Sequence, residues 1–227
     1  MLDCSRNAVM KPEKVKEFID ILAKIGYNAL ELYMEDTYKI EGEPYFGYLR
    51  GGYTAQELRE IDAYAAAKGV ELIPAIQTLA HFNNLAKLPH YEDIIDINDI
   101  LLVENEKTYA LIDKMFKTLH ETFSSRLVNI GMDEAHLIGL GKYLDLNGYA
   151  DRYELLFNHL ERVAAIADKY GFKLHMWSDM FFRIGNKGKY YGNDLCVSKD
   201  LSKRIPHNVE LVYWDYYHIK SEDYETM

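Results

Sequence analysis

The stretch TAQELREIDAYAAAKGVELIPAI, residues 54–76, contains one helix-to-strand unit, and its reading sets the frame for the rest of the chain. Thr54 and Glu57 form a T-x-x-E capping box, in which each side chain can satisfy a backbone N–H that the first helical turn leaves free. A helix is therefore predicted over residues 55–68. Gly69 stops it, and residues 70–76 follow as a strand. The same alternation extends in both directions. Upstream, Pro12 opens a helix where its missing N–H costs nothing, and Val15, Phe18, Ile19, Leu22 and Ile25 recur at i, i+3, i+4 spacing before Gly26. Residues 28–34 then form a strand that ends in Glu35-Asp36.

Downstream, residues 77–105 carry no single period and read as a functional loop with short helical pieces. A helix over residues 106–123 puts Tyr109, Ile112, Met115, Phe116, Leu119 and Phe123 on one stripe. Residues 126–132 form a strand ending in Asp133-Glu134, a helix covers residues 151–170, and strands follow at residues 173–177 and 209–214. With the stub at residues 2–5, six strands are predicted. Strands alternating with helices and no linker between them imply βα units and a parallel sheet. The expected fold class is α/β, a TIM-type (β/α)8 barrel with only about six βα units in this chain. Its 227 residues, read as one incomplete barrel domain over residues 1–227, fall below the ~250 that a complete barrel typically needs.

Composition narrows the partners. Thirty-six acidic against 26 basic residues give a net charge of -10, which repels phosphate backbones and anionic lipid surfaces, so neither nucleic acid nor membrane is expected. No apolar run reaches 18 residues and no leader pattern opens the chain, which points to a cytoplasmic location. Cys4 and Cys196 are too few for a disulfide framework and are expected as thiols.

In parallel barrels, chemistry sits where strands run into the following loops. Those positions hold Ser5-Arg6, Glu35-Asp36, residues 77–81, Asp133-Glu134, residues 177–179 and residues 214–217. Carboxylates, a histidine, an arginine and several Trp and Tyr facing one mouth suit a sugar, with rings stacking on its apolar face and charged groups taking its hydroxyls. Adjacent strand residues point opposite ways, so Asp133 and Glu134 cannot easily bracket a glycosidic bond as opposed carboxyls ~5 Å apart. If the strand ends at Asp133, Glu134 can swing to the mouth from the first loop position. The nucleophile must then come from elsewhere.

Gly131-Met-Asp133-Glu134-Ala resembles the Asp-Glu catalytic motif of the family-20 glycoside hydrolases, the β-N-acetylhexosaminidases. In the same order, Leu2-Asp-Cys-Ser-Arg6, the segment from Tyr27 to Asp36, Tyr53-Thr54, the segment from Gly69 to His81, and Met176-Trp-Ser-Asp179 are similar to that family. The resemblance implies substrate-assisted hydrolysis of terminal N-acetylhexosaminides on oligosaccharides or glycoconjugates, with no cofactor or metal. The substrate's 2-acetamido oxygen attacks the anomeric carbon, Glu134 acts as acid and then base, and Asp133 orients the acetamido group. It further implies that Arg6 holds the sugar's outer hydroxyls and that Asp36 stands near the sugar or supports Arg6. His81 then lies near the carboxylate pair, Trp177 walls the acetamido pocket, and Asp179, Trp214, Asp215 and Tyr216 complete the site. Two other readings stay open. One is a metal-dependent sugar isomerase, which needs three or four ligands converging on one ion. The other is a barrel fragment that binds sugar or self-associates without turnover. Unpaired edge strands also predict a dimer or larger homo-oligomer.

Overall fold

The first strand, β1 (Leu2–Asp3), leads to α1 (Pro12–Lys24), β2 (Ala29–Glu35), α2 (Ala55–Ala67) and β3 (Glu71–Ile76) in the computed structural model, which describes residues 1–6, 9–184, 186–191 and 199–226. Cys196 lies outside the described residues. Two 3-10 turns, Leu85–Lys87 and Pro89–Ile94, precede β4 (Ile95–Ile97) and β5 (Ile100–Leu101). The chain continues through α3 (Glu106–Thr122), β6 (Leu127–Asn129), α4 (Lys142–Asn147), α5 (Arg152–Lys169) and β7 (Lys173–Trp177). It closes with α6 (Asp179–Arg183), α7 (Lys199–Ser202), β8 (Val209–Val212) and α8 (Ser221–Thr226).

Six strands make one parallel sheet in the order β1-β2-β3-β6-β7-β8, each new strand adding beside the previous one. That is the winding of a (β/α)8 barrel, here with six of its units, and β1 and β8 form the edges among the described residues. Side chains alternate between the barrel interior and the helix layer, where α1, α2, α3 and α5 pack in sequence. Ile112, Met115, Phe116 and Leu119 of α3 are fully buried, each stabilising by ~1.5–3 kcal/mol relative to exposure. The local signals do what their chemistry dictates. Thr54 and Glu57 exchange both capping-box hydrogen bonds, and Asp151 accepts from the backbone of Tyr153 and Glu154 at the start of α5.

Two departures from the sequence reading bear on the site. Residues 77–105 are not only loop and helical turns, because β4 and β5 form an antiparallel ribbon within them. And β6 leaves regular pairing at Asn129, earlier than residue 132, although Ile130 still donates to the His175 carbonyl and Trp177 to that of Gly131.

Candidate active site

The C-terminal ends of the strands surround a cavity of about 460 Å3 lined by Met1, Asp3, Arg6, Tyr33, His81, Asp133, Glu134, Trp177, Trp214 and Tyr216. Seven of the residues predicted from sequence thus meet in one place: Arg6, His81, Asp133, Glu134, Trp177, Trp214 and Tyr216. Asp36, Asp179 and Asp215 do not line it. Among the described residues, no group of three or more His, Cys, Asp or Glu side chains is arranged to hold a metal ion.

The early end of β6 has a local cause. Gly131 and Met132 both adopt positive φ, 69° and 67°. A Cβ at Gly131 would run into the amide group of Gln77, so the position needs glycine for space as well as conformation. Gln77 in turn accepts from the Met132 N–H at 3.1 Å and donates to Asp133 at 2.7 Å and to the Tyr33 hydroxyl at 2.9 Å. One buried amide therefore sets the path of the chain into the two carboxylates. Glu35, His81, Met132 and Glu134 all have positive φ, so left-handed backbone collects around this mouth.

Asp133 sits between Gln77 and His81, whose Nε2 donates to it at 3.0 Å. Burial alone would raise the Asp133 carboxyl, but the hydrogen bond and charge of His81, helped by Gln77, hold it below its usual range. His81 answers in kind. Burial disfavours its charge, yet the bond to Asp133 and the nearby Glu35 and Glu134 carboxylates push it up to about 9. The result is a fixed ion pair against which Glu134, with a side chain 48% exposed, presents a solvent-accessible carboxyl. Its Oε2 lies 3.8 Å from His81 and its Oε1 3.5 Å from Arg183.

Behind this wall, the fully buried Asp179 accepts from the Glu134 N–H at 3.1 Å and from Arg183 at 2.6 Å. Burial and the neighbouring Asp133 charge raise Asp179 to about 6 against the pull of these donors. Asp179 thus fixes the backbone of Glu134 and does not face the cavity. Arg183 escaped the sequence reading, although its i, i+4 spacing from Asp179 was a signal that could have found it.

Arg6 reaches Glu35 at 2.5 Å, not Asp36. Tyr33 and Glu35 lie on either side of a register shift in the pairing of β2 with β3, the Tyr33 hydroxyl donating to Glu35 at 3.0 Å, whereas Asp36 turns away to Arg50 at 3.1 Å. Arg50 also donates to the Ser5 and Arg6 carbonyls, so Asp36 supports Arg6 only through its backbone. Burial raises the Glu35 carboxyl and the Arg6 contact draws it back, leaving it above its usual value. Asp215 is taken up by Tyr213, His218 and the backbone of Tyr217 within its own segment. Trp214 packs against Tyr190 and Tyr216, with ring centroids 4.6 and 5.6 Å apart.

One wall therefore carries an ionised, immobilised carboxylate and a second, accessible one, suited to stabilising positive charge and to moving a proton. The same cavity is also lined by the aromatic rings of Tyr33, Trp177, Trp214 and Tyr216.

The family model for "Glycosyl hydrolase family 20, catalytic domain" matches residues 1–217. Hexosaminidase D of Bos taurus is 26% identical over 218 residues, covering 90% of this chain and 60% of its own length. Human hexosaminidase D is 24% identical over 221 residues, covering 93% of this chain and 43% of its own length. Among solved structures, the exo-β-N-acetylglucosaminidase from Vibrio harveyi in complex with N-acetylglucosamine superposes with a TM-score of 0.74 at 21% identity, over 95% of this chain and 37% of that one. The β-N-acetylhexosaminidase from Streptomyces coelicolor gives 0.70 at 22% identity, over 100% of this chain and 44% of that one. The chain spans 60% or less of the length of each of these relatives.

Proposed function

The chain belongs to glycosyl hydrolase family 20, and from that premise we propose that its protein removes terminal N-acetylhexosamine residues from oligosaccharides or glycoconjugates by substrate-assisted catalysis. The observation that carries the reading is the division of labour at the end of β6. Asp133 is clamped by His81 and Gln77 and kept ionised, while Glu134 beside it stays accessible. In the proposed reaction the 2-acetamido oxygen attacks the anomeric carbon as Glu134 protonates the departing oxygen. The bond to the leaving group breaks and a cyclic oxazolinium forms. Asp133 accepts the acetamido N–H and stabilises the charge that develops there. Glu134 then takes a proton from water, which opens the ring with net retention.

Arg6, fixed by Glu35, would hold outer hydroxyls with its planar donors, and Trp177, Trp214 and Tyr216 would pack on apolar faces of the sugar. A homo-oligomer covering the β1 and β8 edges belongs to the same proposal, and a monomeric mass by light scattering removes it. The central test is release of nitrophenol from p-nitrophenyl N-acetyl-β-glucosaminide and its galacto counterpart, with Glu134→Gln as control. Wild-type turnover abolished in the variant supports the reading. A folded wild type that releases nothing from either substrate overturns it.

A further inference from the structure

The short helix α6 starts directly after β7, and its Asp179 and Arg183 stand one turn apart, so both side chains leave the same face. Asp179 Oδ2 accepts from Arg183 Nε at 2.6 Å and from the Glu134 N–H at 3.1 Å. The rest of the guanidinium is committed as well. Nη1 donates to the Gly188 carbonyl at 3.0 Å, and Nη2 lies 3.5 Å from Glu134 Oε1, within ion-pair range. Its central carbon stands 5.4 Å from the ring centre of Tyr190 and 5.8 Å from that of Trp214. A planar fork engaged at all three nitrogens and flanked by two rings is held in place, with its charge facing Glu134.

Glu134 therefore lies between two cations, each secured by an aspartate. His81, held by Asp133, faces Oε2 at 3.8 Å, and Arg183, held by Asp179, faces Oε1. The two differ in what they can donate. His81 Nε2 has one N–H and gives it to Asp133, whereas Arg183 Nη2 carries two. A carboxylic acid holds its proton on one oxygen, and a proton on Oε1 would be set against the N–H groups of the guanidinium. Oε2 is thus the oxygen suited to carry it.

We propose that Arg183 is a positioning residue for the acid: it holds Glu134 through Oε1, so that the proton passes to the departing oxygen from Oε2. The inference rests on the reading of Glu134 as the proton donor. As the bond from the anomeric carbon to the departing oxygen breaks, the Oε2–H bond breaks too. The proton goes to that oxygen, and its electron pair stays on Glu134 as a carboxylate beside the guanidinium. Asp179 joins the two ends of this device, since it fixes both the Glu134 backbone and the cation that faces the Glu134 carboxyl.

The test compares kcat/KM of the full protein on phenyl and 2,4-dinitrophenyl N-acetyl-β-glucosaminide, the first with a leaving group that needs a proton and the second with one that departs almost without it. kcat/KM reports only the steps up to that departure. Because one enzyme sample turns over both substrates, the ratio of the two values does not depend on how much of it is folded. Arg183→Gln should lose ~10- to 100-fold more on the phenyl than on the dinitrophenyl substrate, the scale of a misplaced proton donor. Arg183→Lys keeps the charge but has a single ammonium for three partners, so it should show the same bias severalfold, and it serves if the Gln variant does not fold. A ratio equal to that of the wild type in the variants that fold overturns the positioning role while Glu134→Gln still shows the bias. If Glu134→Gln shows none, or if the wild type turns over neither substrate, the reading of Glu134 itself fails and the inference falls with it.

Discussion

At the ends of β3 and β6, Gln77, His81 and Asp133 hold one another across strands. At the end of β8, Asp215 is held by Tyr213, Tyr217 and His218 of its own segment. The first arrangement depends on sheet register and on a glycine that only one neighbour fits, so a small change at one strand is felt at the next. The second is local. Tyr216 stands 82% exposed above it, attached to the cavity but not to the core. The floor of the site is therefore built for fixed geometry, and the rim at β8 can vary without disturbing it.

The largest effect that would sharpen this contrast is catalytic. Glu134→Gln should lower kcat on an aryl N-acetylglucosaminide ~10²- to 10⁴-fold, the usual share of a positioned acid–base, with its unfolding midpoint in urea near that of the wild type. A kcat within a few-fold of wild type would remove Glu134 from the chemistry.

Gly131→Ala addresses the floor's packing. Positive φ and the collision with Gln77 should together cost ~3 kcal/mol or more in urea unfolding. An Ala variant as stable as the wild type would mean that Gln77 can move aside, and that the floor is softer than described.

Two histidines at and beneath the floor should shape stability in opposite directions. His159 is fully buried between Tyr109 and the Thr78 carbonyl, and burial holds it down at about 4. Its contribution is complete above the ordinary value of about 6.5 and is lost as pH falls toward 4, a change on the order of 3 kcal/mol. His81, raised to about 9, contributes fully below about 6.5 and loses that contribution as pH climbs through 9. Urea midpoints measured from pH 4 to 10 should fall on both flanks, and His159→Gln should flatten the acid flank only. An acid flank unchanged in that variant would show that His159 is not its source.

The smallest effect belongs to the rim. Tyr216→Ala should leave stability within about 0.5 kcal/mol and raise KM several-fold by removing an exposed ring. A loss of stability comparable to that of Gly131→Ala would erase the distinction between floor and rim.

Much of the barrel was legible because its signals are local. Capping residues, glycine stops and 3.6-residue stripes act over a few positions, and the six strands and four long helices fall where these place them. Strand-end logic also brought Arg6, His81, Trp177 and the carboxylate pair to one mouth. What escaped depends on contacts distant in sequence. The β4–β5 ribbon has strands of three and two residues, too short to show alternation, and it exists because Asp96 and the Leu79 carbonyl hold it. The choice of Glu35 over Asp36 as the partner of Arg6 follows from contacts made across the chain, since Tyr33 holds Glu35 while Asp36, just past the end of β2, pairs with Arg50. Asp179 read as a substrate ligand because its strand end faces the mouth, but it is buried behind the cavity wall with its Oδ2 accepting from the Glu134 backbone and Arg183.

Asp96 has a consequence for motion. One carboxylate closes the ribbon against residues 139 and 143, so loss of that clasp should loosen both segments. The amide protons of Gly139 and Tyr143, both donated to Asp96, should accordingly exchange with solvent through a common opening.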